Sequence, residues 1–306
     1  MSLRGLAKER VSILNDRTSG AMEIAFKILN HFDSMVLSHS MPSRRSLQVY
    51  LREFVNDFRN VQPGMSAPAN VLNTLIRTVK GLELGATDTF KEGCLHSLRQ
   101  IRSKILEGQI QLSKIASSLI ETGQTVSTIS YGSTVLEALR QAHTEGKLFK
   151  IIILESRPNL EGTAVAKALA KEGLEVALMV DAAAGYVARH SDVALVGVDT
   201  LFRDGSIVAK LGAYPLAVCC RNSGTPFVAL AHSIKFVDKE PPLSGWEDLQ
   251  RAEVEVTKIY PRYRWSVKSF YFEMVNCKYV SKIVTEKGVF SPSRIGKKVE
   301  SFNENS

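Results

Sequence analysis

The run Ile151-Ile152-Ile153-Leu154, followed by Glu155-Ser156-Arg157-Pro158-Asn159-Leu160-Glu161-Gly162, constrains this chain more than any other segment. An apolar stretch rich in β-branched residues breaks abruptly into charged and turn-forming ones and then into a helix-compatible, alanine-rich stretch. A strand buried on both faces reads as such a continuous apolar run, and parallel sheets covered by helices are its usual setting. Open sheets of that kind bind ligands past the carboxyl ends of their strands, where the next helix N-terminus favours an anion. Arg157 stands on that edge with a guanidinium fork that suits phosphate or carboxylate. Surface pairing with Glu155 or Glu161 is the equally simple alternative.

The rest of the chain repeats the theme. Candidate strands at 125–130, 150–154, 175–180, 193–197, 227–231 and 282–285 alternate with helix-compatible segments, which predicts a mainly parallel Rossmann-like sheet flanked by helices. Asn159 or Glu161 starts a helix that Gly173 stops, and Asp204-Gly205 marks a turn before a helix over 211–220. The first third differs: segments 19–32, 46–60, 69–84 and 88–120 carry apolar residues at helical spacing, punctuated by Pro42, Pro63-Gly64 and Pro68. The expected organisation is therefore a helical N-terminal domain over 1–120 and an α/β domain over 121–306, with the tail 303–306 frayed.

Composition excludes several classes of function. With 306 residues, 44% hydrophobic and 23% charged, the chain has an ordinary globular composition and length enough for two domains. No segment approaches the roughly 20 apolar residues of a membrane helix, and MSLRGLAKER lacks a signal peptide's apolar core, so a cytoplasmic protein is expected. Cys94, Cys219, Cys220 and Cys277 form no CxxC, and the histidines form no HxxxH or HExxH, so no metal site is expected and the thiols read as reduced. A net charge of +8 favours acidic partners or anionic ligands. The charges are scattered, without an aromatic-interleaved basic stripe, and nucleic acid is not the expected partner. No GxGxxG follows a strand and no GxxxxGK[ST] occurs, so no dinucleotide or P-loop chemistry is expected, and no cofactor.

A set of polar segments at the expected sheet edge carries a resemblance: Thr18-Ser19-Gly20-Ala21, Glu155-Ser156-Arg157-Pro158, 180–186 (VDAAAGY), Gly197-Val198-Asp199, Lys210-Leu211-Gly212, Lys235-Phe236 and 283–289 (IVTEKGV). In this order and spacing the chain resembles a family that holds two kinds of protein. One kind is the alpha, beta and delta regulatory subunits of translation initiation factor 2B and their archaeal relatives. The other is the isomerases of ribose 1,5-bisphosphate and methylthioribose 1-phosphate. The resemblance implies a helical N-terminal domain, a Rossmann-like C-terminal domain and dimerisation through the latter, for which the apolar run 211–220 and the aromatic segment 260–272 could supply buried surface.

Isomerisation between adjacent sugar carbons needs an acid and a base matched to neutral pH. In the isomerases a cysteine after the first sheet strand and an aspartate in a GxD segment fill those roles. The aspartate matches Asp199, whereas the cysteine falls on Ser130 or within a residue of it. A serine hydroxyl is a poor proton donor or acceptor near neutrality, where a thiol can be tuned. Ser133 and Thr134 follow, as ligand contacts or as caps of the next helix. Two arginines of the isomerases are replaced by Ser19 and Gln62, and their Asn-Lys reads Ala209-Lys210 here. Lys210 and Lys235 offer point charges in place of bidentate forks. The residues favour a regulatory or scaffold protein that holds a sugar phosphate or nucleotide through Gly20, Ala21, Ser133, Thr134, Arg157, Lys210 and Lys235 without turnover, with translation initiation factors as partners. The rival is an aldose-ketose isomerase using Asp199, with Ser130 or another group in place of the thiol. Asp199 has a structural alternative, as a carboxylate bonded to backbone N–H groups at a strand end.

Overall fold

The computed structural model of the chain describes residues 3–38, 42–82, 87–241 and 268–299. The tail 303–306 and most of the aromatic segment 260–272 lie outside the described residues. Five helices come first: α1 (Leu3–Leu14), α2 (Ala21–Val36), α3 (Arg44–Val61), α4 (Ser66–Gly81) and α5 (Thr87–Ser117). Their apolar stripes close one core around Ile24, Leu29, Phe32, Phe54, Phe58 and Leu72. From Thr125 the chain alternates: β1 (Thr125–Ile129), α6 (Ser133–Thr144), β2 (Lys150–Leu154), α7 (Glu161–Lys171), β3 (Glu175–Met179), α8 (Ala184–Arg189), β4 (Val193–Gly197), β5 (Thr200–Phe202), β6 (Ile207–Lys210), α9 (Ala213–Ser223), β7 (Phe227–Leu230) and β8 (Phe236–Val237). The last described elements are β9 (Phe272–Val275), β10 (Lys282–Thr285), β11 (Gly288–Phe290) and α10 (Ile295–Lys298). No helix among the described residues is long and apolar enough to cross a membrane.

The main sheet has seven strands in the order β11-β10-β7-β4-β1-β2-β3, all parallel except the edge hairpin β10–β11. Strand alternation sorts its side chains to two faces. Ile151, Ile153, Leu195 and Val228 pack with Leu112 and Ala116 of α5, Leu136 and Leu139 of α6, and Val165 and Leu169 of α7. Ile152, Leu154, Val196 and Phe227 pack on the other face with Val187 of α8 and Leu216 and Cys220 of α9. The sheet expected from sequence is thus present and covered on both faces. A second, four-stranded sheet, β8-β5-β6-β9, was not anticipated. It is mostly antiparallel, and the expected Asp204-Gly205 turn closes its β5–β6 hairpin, with Asp204 Oδ1 accepting from the N–H of Ser206 at 2.8 Å.

Strand order fixes where a ligand can enter. The chain runs outward from β1 to β2 and β3, then returns to β4 on the other side of β1, so the order reverses between β1 and β4. The backbones meet closely there: a Cβ on Gly197 would stand 3.2 Å from Gly132 Cα. The helical region closes over this point. Ser66, at the start of α4, donates through its Oγ to the carbonyls of Lys235 (2.7 Å) and Asp199 (3.1 Å), and Asn70 Nδ2 donates to those of Ile234 (2.7 Å) and Phe236 (3.0 Å).

Candidate functional site

Beneath that reversal lie two adjoining recesses. The larger, about 350 Å³, is lined by Arg17, Gly20 and Gln62 from the helical region, Ser130, Glu161, Asp199 and Lys210 from the strand ends, and the aromatic rings of Tyr131, Tyr271 and Phe272. The smaller, about 40 Å³, lies among Gly20, Ala21, Ser133, Thr134, Asp199 and Lys235. The N-termini of α2 and α6 both open onto it, with Gly20 and Gly132 at the cap positions and no side chain capping either helix. Their free backbone N–H groups give this recess a positive potential. Ser133 and Thr134 therefore do not cap α6; they occupy its first turn and face the recess.

Eight of the nine residues singled out from sequence come together here, and one does not. Arg157 lies past β2, one strand away from the reversal, and its side chain is exposed outside both recesses. Its backbone N–H donates to Asp181 Oδ2 (2.7 Å) and that of Ser156 to Asp181 Oδ1 (2.8 Å), so Asp181 plays the strand-end bonding role considered for Asp199. Asp199 is placed by its backbone, whose N–H donates to the Val208 carbonyl at 2.8 Å. Among the described residues its carboxylate makes no hydrogen bond and no ion pair. Burial pushes that carboxyl above its ordinary range, against the pull of Lys235 and Lys210. Lys235, buried, donates from Nζ to the Val198 carbonyl at 2.6 Å, and burial lowers its ammonium while Asp199 opposes the shift.

Ser130 sits at φ 68°, in the left-handed region that ends β1 sharply and turns its side chain toward α7. Its N–H donates to Ser156 Oγ (2.6 Å) and its Oγ to Glu161 Oε2 (2.6 Å), while Glu161 Oε1 accepts from Lys210 Nζ at 2.7 Å. Lys210 lies over the Tyr271 ring, 4.3 Å from its centroid. Burial opposes ionisation of Glu161, but Lys210, Ser130 and Asn159 outweigh it and hold the carboxyl below the ordinary range. The sequence offered Glu161 as a helix start or a partner for Arg157, not as a cavity residue; the signal was its position in the first turn after the β2 edge. Gln62 is spent on structure, its Nε2 donating to the Asp16 carbonyl at 2.8 Å, and Arg17 Nη1 donates to the Leu14 carbonyl at 2.8 Å.

Fold and cavity together define an α/β protein with a polar cavity at a topological switch point, where two helix N-termini meet, roofed by an N-terminal helical region. The Initiation factor 2 subunit family profile matches residues 17–292, and the chain belongs to that family. It is 30% identical over 298 residues to a translation initiation factor eIF-2B subunit 2-like protein of Pyrococcus horikoshii, covering 95% of this chain and 96% of that one. It is 26% identical over 294 residues to the ribose 1,5-bisphosphate isomerase of Methanocaldococcus jannaschii, covering 95% and 94%. The crystal structure of the Pyrococcus horikoshii translation initiation factor eIF-2B superposes with a TM-score of 0.77 at 28% identity, over 96% of this chain and 99% of that one.

Proposed function

We propose that this chain is a translation initiation factor 2B-like regulatory or scaffold protein that holds a phosphorylated sugar or nucleotide at the switch point without converting it. The observation that carries the reading is the state of Ser130. Its hydroxyl is already committed to Glu161, and Glu161 is held ionised by Lys210, so neither offers Asp199 a partner that titrates near neutrality. The phosphate belongs to the smaller recess, where two helix N-termini and Lys235 converge, and the sugar to the larger one. The protein acts in the cytoplasm as a homodimer built on its α/β region, with initiation factors as partners.

Thermal denaturation with AMP and with phosphorylated pentoses tests the binding half, because a ligand that binds the native state alone raises the melting temperature. No shift with any of them contradicts it. The isomerase reading retains one specific support: Asp199 is a carboxyl pushed upward by burial, without a bonding partner, in a cavity of sugar-phosphate size.

A further inference from the structure

The charges lining the two recesses balance. Arg17, Lys210 and Lys235 face Glu23, Glu161 and Asp199. Lys235 and the two helix N-termini serve the smaller recess, Lys210 and Asp199 line both, and Arg17 and Glu161 line the larger one alone, so Lys210 and Arg17 are the cations that the larger recess offers. Lys210 is already matched: Glu161 Oε1 accepts from its Nζ at 2.7 Å, and Glu161 is held from its other oxygen by Ser130. Arg17 is partly committed to the carbonyls of Leu14 and Asp16. A phosphate group carries about −1.5 to −2 at neutral pH. Placed in the larger recess, it would meet a cation already neutralised and a fixed carboxylate beside it.

We propose that Glu161 is the specificity-determining residue of this cavity and restricts it to ligands with a single phosphate, whose other end is uncharged and rich in hydroxyls. The proposal rests on the reading of the cavity as a phosphorylated-ligand site. The Glu161 carboxylate acts as an internal anion: it occupies Lys210, repels a second phosphate and leaves acceptor positions for sugar hydroxyls. Gln62 and Ser19 agree with this division, since neither brings a cation to the larger recess.

Isothermal titration calorimetry with ribose 5-phosphate and ribose 1,5-bisphosphate, on the wild-type chain and on Glu161→Gln and Glu161→Asp, tests it. The wild type should bind the monophosphate at least about tenfold tighter than the bisphosphate, since like-charge juxtaposition is strongly unfavourable in a partly buried site. Glu161→Gln keeps the shape but removes the charge and should abolish or reverse that preference. Glu161→Asp restores the charge and should restore the preference. Melting curves of the unliganded variants verify that each is folded. Equal or tighter binding of the bisphosphate by the wild type, or an unchanged preference in Glu161→Gln, overturns the proposal while leaving the ligand site standing. Binding of neither compound to any of the three proteins overturns the proposal, and absence of AMP binding in the same titration overturns the ligand-site reading as well.

Discussion

The resemblance places the isomerases' cysteine on Ser130 or within a residue of it, and the surroundings of Ser130 are unfavourable to a reactive thiol. Restoring sulfur with Ser130→Cys would set a thiol against the ionised Glu161 carboxylate, which disfavours the thiolate. The variant should therefore show no isomerisation of methylthioribose 1-phosphate above the wild-type background in a coupled assay; turnover appearing with this one change would contradict the account. Glu161 itself links the site to stability. Its folded-state pKa lies below the ordinary glutamate value, so it stabilises the fold above about pH 4.3 and loses that contribution as pH falls through the folded value. Glu161→Ala should lower stability at pH 7 by about 2 kcal/mol, with the gap to wild type closing below about pH 4 in pH-dependent urea melts. Asp199, Ser130, Lys210, Lys235 and the Gly20-Ala21 pair were legible through the family resemblance that their segments carry, since no single segment marks a site by itself. Glu161 was hidden because an acidic residue in a helix's first turn has an ordinary explanation. Arg157 misled because a strand-end arginine says nothing about which strand borders the chain reversal, and that depends on strand order.

The central strands announced themselves, since each is an apolar run buried on two faces and bounded by turn residues. The second sheet did not: β5, β6, β8 and β9 hold between two and four residues each, too few to show a period of two. The first helix escaped for a related reason, as Leu6 and Ile13, buried and two turns apart, are a sparse stripe. Among the connections that place the site, the start of α7 is the least tolerant. A Cβ on Gly162 would stand 1.9 Å from the Leu154 carbonyl oxygen, so no side chain fits without moving α7 off the end of β2. Gly162→Ala should destabilise the chain by about 3 kcal/mol in urea denaturation and weaken ligand binding, because Glu161 moves with the helix. A loss below about 0.5 kcal/mol would mean that this contact does not set the helix.

For the whole molecule, the family decides less than the cavity does, since the relatives include proteins named for translation initiation and an isomerase. The proposed dimer does not rest on the apolar run 211–220 as a whole: Ala213, Leu216, Ala217 and Cys220 are buried within this chain, which leaves Tyr214 as the exposed aromatic of that helix. Light scattering at micromolar concentration should give twice the chain mass; a monomer would remove the assembly part of the proposal. The claim that the site binds without converting is tested most directly by ³¹P NMR of methylthioribose 1-phosphate mixed with the protein at neutral pH. Broadening of the single phosphate resonance is expected, with no new signal during prolonged incubation. Growth of a second resonance from the ketose product, abolished by Asp199→Asn, would contradict that claim and establish the chain as an isomerase.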